Sequence, residues 1–163
     1  MSKRRTLVIA NETIEGPGLH EAIHYGSEVR VVAPALNSRL RYWLSDEDAA
    51  RRAAETRLGR FLERLHRAGI EASGRVGDAD PLLAIEDELR VFPADEIVIS
   101  THPEGHSHWL AHDLVDRACE RFDLPVLHVV ADSRPGGSFS PPRLARAPSA
   151  RESPRRGAIS ASP

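Results

Sequence analysis

The sequence predicts a three-layer α/β domain, a doubly wound parallel sheet of five strands with helices on both faces. Three observations carry this expectation. Short, wholly apolar runs recur along the first 132 residues, and amphipathic stretches lie between them. The runs are apolar at consecutive positions, which marks strands buried on both faces. The intervals between them are long enough for the crossovers that parallel strands need. Right-handed crossovers lead to the doubly wound three-layer arrangement, and the expected strand order is 3-2-1-4-5.

Leu7-Val8-Ile9-Ala10 reads as the first strand. Gly16-Pro17-Gly18 breaks the chain, and Leu19, Ala22 and Ile23 fit one face of a short helix that Gly26 ends. Val29, Val31 and Val32 form the second strand, stopped by Pro34. A polar and aromatic loop runs from Asn37 to Leu44 and carries Trp43, expected to fold back over the core. Ser45 is placed to cap the longest helix, with Asp48 three residues on. Ala50, Ala54, Leu58, Phe61, Leu62 and Leu65 recur at spacings of three and four, and Gly69 supplies a left-handed stop. Ile70, Ala72, Gly74 and Val76 alternate as a third strand. Asp80 caps the next helix with Pro81 at its first position, and Leu82, Ile85, Leu89 and Phe92 form its apolar stripe. Ile97-Val98-Ile99 is the fourth strand. A helix with Leu110, Leu114, Ala118 and Phe122 on one face follows, and Pro125 opens the fifth strand, Val126 to Val130.

The domain is expected to close at Asp132. Residues 133–163 hold six Pro, seven Ser and few apolar residues, so they read as a disordered tail. They carry six Arg against one Glu, or +5, which leaves −7 for residues 1–132 within the total of −2. An acidic body does not suit nucleic acid, so such contact is expected only through the basic tail. The longest apolar runs are too short for a membrane span, and the N-terminus shows no export leader. Cys119 is the single cysteine, which rules out a disulfide framework within the chain and fits a reducing cytoplasm.

Ligands in open α/β sheets bind at the carboxyl ends of the strands, where the winding reverses. That rule nominates Ala10 to Glu12, Ala33 to Pro34, Gly77 to Asp78 and Ser100 to Gly105. The most unusual local feature is a histidine-rich run from His102 to His112. His108 and His112 stand four apart, so they share a helix face and are the candidates for a metal. No H-E-x-x-H pattern accompanies them, and the expected reading is a solvated, mildly pH-responsive loop without a metal. No serine–histidine–aspartate arrangement is readable from spacing, so no catalytic residue is nominated.

Over residues 5–132, the order, length and punctuation of the elements resemble the universal stress protein family. The long second helix, the Gly77-Asp78 step after the third strand and the closing Leu124-Pro125-Val126-Leu127-His128-Val129-Val130 have counterparts there. Where that family usually ends its first strand in aspartate, this chain has Asn11. Its ATP-binding members carry G-x2-G-x9-G-[ST] after the fourth strand. The aligned positions are Ser100, Pro103, Asp113 and Leu114, with no glycine and no terminal hydroxyl residue. The resemblance implies a Rossmann-like fold and a cytoplasmic stress-response protein that binds and associates rather than catalyses. It implies no firmly held cofactor, and a homodimer through strand 5, an edge in the expected order. The alternative is an adenine-nucleotide binder, for ATP or AMP, with a degenerate phosphate loop. Asn11, Ala33, Gly77, Asp78, Ser100 and Gly105 would then line the cleft.

Overall fold

The computed structural model describes residues 3–10, 14, 19, 22–23, 27–35, 47–101, 108–131 and 139–146. Strands β1 (Arg5–Ile9) and β2 (Glu28–Pro34) are followed by helix α1 (Glu47–Arg67) and strand β3 (Glu71–Gly77). Helix α2 (Pro81–Val91), strand β4 (Glu96–Thr101), helix α3 (His108–Arg121) and strands β5 (Val126–Ala131) and β6 (Phe139–Arg146) complete the order. One sheet runs β3-β2-β1-β4-β5-β6. Its first five strands are parallel, and β6 is antiparallel to β5. Among the described residues no helix is long and apolar enough to cross a membrane.

The sheet is apolar on both faces, and each face has its own core. Val8, Ala10, Val29, Val31, Val98 and Val129 meet Leu58, Phe61 and Leu65 of α1, together with Leu19, Ala22 and Ile23. Leu7, Ile9, Val32, Ile97, Ile99 and Val126 meet Leu82 and Ile85 of α2 and Val115 and Ala118 of α3. Each large side chain withdrawn from water here contributes about 1.5–3 kcal/mol before ordering costs. The remainder of the short helix expected before Gly26, the Ser45 cap and the Trp43 loop lie outside the described residues.

The helix ends follow local chemistry. Gly69 adopts φ +75°, which a β-carbon would make costly. Its N–H donates to His66 O at 3.0 Å and that of Ile70 to Leu65 O at 2.9 Å, the paired bonds that close α1. Asp80 Oδ1 accepts from the Leu82 N–H at 2.8 Å, and Pro81 opens α2 where no N–H is needed. Two other glycines set how closely helices approach the sheet. A β-carbon on Gly74 would stand 2.7 Å from Val31 O and 3.0 Å from Leu58 Cδ1. One on Gly77 would stand 2.6 Å from Val32 Cγ1 and 3.0 Å from Ala84 Cβ.

Charge fastens the amino-terminal end of the sheet. Lys3 Nζ lies 2.6 Å from Glu71 Oε2, and Arg4 Nη2 lies 2.9 Å from Glu96 Oε2. The Arg5 N–H donates to Asp95 Oδ2 at 2.8 Å. The buried Glu96 also accepts from Thr6 Oγ1 at 2.8 Å. The basic run ahead of β1 therefore binds the starts of β3 and β4.

Two expectations are corrected here. The sheet has six strands rather than five, because the segment expected to be a structureless tail supplies β6. β5 is apolar toward both cores and would otherwise present a row of unpaired backbone groups. Five of the eight β6 residues, Phe139, Ser140, Arg143, Leu144 and Arg146, pair with it, and Pro141 and Pro142 stand where an edge strand tolerates them. With β6 in place, β5 is an interior strand, not the edge from which pairing of two copies was expected.

Gly74→Ala and Gly77→Ala are each expected to lower stability by about 1–3 kcal/mol, the cost of forcing atoms into a filled site. Urea unfolding midpoints of the two variants check this. The Glu71 carboxyl is held below the usual carboxylate range by its hydrogen bond and charge contact with Lys3, whose own pKa is raised by the same pair. The Glu71 contribution to stability is therefore present above the ordinary carboxylate pKa and is lost as pH falls through the lowered value. The Lys3 contribution is present below the ordinary lysine pKa and is lost as pH rises through the raised value. An NMR titration of Glu71 should move toward ordinary values in Lys3→Ala and in high salt, since both groups are exposed.

Candidate functional site

The register of the strands places the candidate site. β1 pairs with β4 as far as Ile9 and Ile99. Beyond that point Ala10 gives its N–H to Val32 O at 3.2 Å, on the β2 side. β4 instead continues with β5, pairing Ser100 with Val129 and Thr101 with Val130. The two central chains thus part after Ile9 and Ile99, at the carboxyl end of the sheet. That divergence is the switch point at which open α/β sheets take ligands.

The nominated residues meet different fates at this end. Asn11 and Gly105 lie outside the described residues. Ala33 is 1% exposed, so its methyl group belongs to the interior. The space beside Gly77 is filled by Val32 and Ala84, and its carbonyl accepts from the Ala35 N–H at 3.3 Å. Asp78 is exposed and its Oδ1 accepts from the Asp80 N–H at 2.8 Å. Asp78 and Asp80 together shape the turn from β3 into α2. Ser100 is 8% exposed at the end of β4. His108 and His112 fall four apart on α3, with the loop before them outside the described residues. Among the described residues no group of three or more His, Cys, Asp or Glu could hold a metal ion.

Tertiary structure adds a contact that the sequence did not suggest. Thr101 Oγ1 and His128 Nε2 lie 2.8 Å apart, joining β4 to β5 at the same end of the sheet. The signal available in the sequence was a histidine interrupting an otherwise apolar strand.

A second unforeseen cluster lies under α2. Glu88 is wholly buried and reaches Arg75 Nε at 2.5 Å through Oε2. Its Oε1 is 3.3 Å from Arg30 Nη1, close enough for an ion pair but not aligned as a hydrogen bond. Arg30 also lies over the Phe92 ring, 5.2 Å from its centroid. β2, β3 and α2 are joined by this one carboxylate. Both oxygens of this buried carboxylate face cations of the fold, which makes the arrangement structural.

The chain matches no family model and no curated protein.

Glu88→Ala is expected to destabilise the fold by about 3 kcal/mol, the lower end for breaking a buried ion pair, because Arg30 and Arg75 keep part of their surface in water. Thermal and urea unfolding check the loss. Glu88→Gln should recover part of it by keeping an acceptor oxygen.

Proposed function

We propose that this chain is a universal-stress-protein-like domain that works in the cytoplasm by binding and association in a stress response, without covalent chemistry and without a firm hold on ATP. The observation that supports this best is where α3 begins. In the ATP-binding pattern, the last glycine and the hydroxyl residue aligned with Asp113 and Leu114. Those positions stand well inside α3, which starts at His108. An amide at that depth is committed to the carbonyl four residues back, and only the first four N–H groups of a helix are free. Asp113 adds a negative charge, with its Oδ2 3.6 Å from Arg117 Nη1. Pro103 has no N–H to offer a phosphate.

The alternative reading, ATP or AMP held at Asn11, Ala33, Gly77, Asp78, Ser100 and Gly105, loses support from the enclosed methyl of Ala33 and the filled space at Gly77. The parting of β1 and β4 still leaves the switch point as the place for a ligand, and association with a second copy of the chain belongs to the same reading.

Equilibrium dialysis of the full chain against labelled ATP, AMP and cyclic AMP tests the proposal. The expected result is no saturable uptake of ATP at millimolar concentration. Uptake of one equivalent per chain would overturn it in favour of the nucleotide-binding alternative.

A further inference from the structure

The sheet ends in two unlike strands. At one end β6 carries Pro141 and Pro142, and its register against β5 shifts twice. At the other end β3 pairs with β2 over seven residues without a shift and holds no proline. Among the described residues no strand pairs with its outer side. Alternate residues of a parallel strand turn their backbone groups to the same neighbour. Gly77 O accepts from the Ala35 N–H at the end of β2, so Glu71, Ser73, Arg75 and Gly77 face β2. Ala72, Gly74 and Val76 then face outward. On that side the His66 imidazole donates to Ala72 O at 2.7 Å through Nε2, which leaves the carbonyl its second lone pair.

We propose that β3 is a surface on which two copies of this chain pair, edge to edge and antiparallel, about a two-fold axis at Ser73. This rests on the association reading above and gives it a surface. The sequence of β3 is complementary to itself when read in the opposite direction. Glu71 and Arg75 stand two residues to either side of Ser73 and carry opposite charge. A two-fold axis that brings two copies of one strand together sets them antiparallel. With the axis at Ser73, Glu71 of each copy stands opposite Arg75 of the other. The outward residues meet as Ala72 with Gly74 and Ile70 with Val76. Backbone donors and acceptors match in this register, and a slip of one residue sets outward groups against inward ones. Both charged side chains are accessible, Glu71 being 65% exposed beside Lys3 and Arg75 49% exposed beside Glu88. Glu88 takes Arg75 at Nε, and a guanidinium has further N–H groups for a second carboxylate. Charge on an edge strand ordinarily turns other strands away. Two opposite charges placed symmetrically about Ser73 turn away a foreign strand and admit a copy of the same one.

Sedimentation of the full chain over a range of concentrations tests the pairing, with disulfide cross-linking as a second readout. The natural sequence should form a dimer that weakens as salt is added. Glu71→Lys sets like charge opposite Arg75 in both places and should need at least about tenfold more protein to dimerise. Ser73→Cys in a Cys119→Ala background brings two thiols together at the axis. Facing α-carbons of such a non-hydrogen-bonded pair stand about 4.5 Å apart, within disulfide reach. This form should oxidise to a covalent dimer. Glu55→Cys in the same background, exposed on α1, should not. A natural chain that dimerises while the Ser73→Cys form fails to cross-link overturns pairing through β3 and leaves association standing through another surface. A Glu71→Lys form that keeps the natural urea midpoint and dimerises as readily does the same. A natural chain that stays monomeric at every concentration overturns both the pairing and association with a second copy.

Discussion

β1 and β4 lie side by side in the middle of the sheet, and helices or buried side chains cover both of their faces. Every residue of β4 is buried, as are Thr6 to Ile9 of β1. Backbone groups so enclosed have only neighbouring strands to bond with, so the central ladder must be complete. The same enclosure requires helices to come close on both sides. Gly74 and Gly77 mark where that approach leaves no room for a β-carbon. Polar residues in this zone survive by pairing, as Thr6 and Glu96 do.

The two ends of the sheet are finished by different means. At the amino-terminal end, Lys3, Arg4 and Arg5 meet acidic residues at or beside the starts of β3 and β4. At the carboxyl end the described contacts are the Asp78–Asp80 bonds and that between Thr101 and His128.

The outer strands show a second division. β3 has β2 on one side and is packed by α1. β5 is covered by a strand that gives the interior none of its described side chains. Sheet edges are the natural points of contact between chains, and the prolines and arginines of β6 make it a poor template for further growth. The sheet thus ends in a strand suited to stopping it. That arrangement links the composition of the segment after residue 132 to the associative behaviour proposed for the domain.

Local pattern accounts for the regular elements. Spacings of three and four mark α1, the Asp80-Pro81 pair marks the start of α2, and Gly69 stops α1. These signals are readable because each acts within a turn or two of the chain. The resemblance to a known family likewise rested on the order and spacing of such elements. Three features were settled only by tertiary structure. Glu88 lies on the same helical face as Ile85 and Phe92, where charge is costly, and what makes it tolerable are arginines supplied by β2 and β3. The bond between Thr101 and His128 exists because β4 and β5 became neighbours. β6 is the clearest case. Composition describes what a Pro-, Ser- and Arg-rich segment does alone in water, where it has no core to build. It carries no record of the open edge that β5 presents once the sheet has formed, and the backbone hydrogen bonds of that edge depend little on side-chain identity.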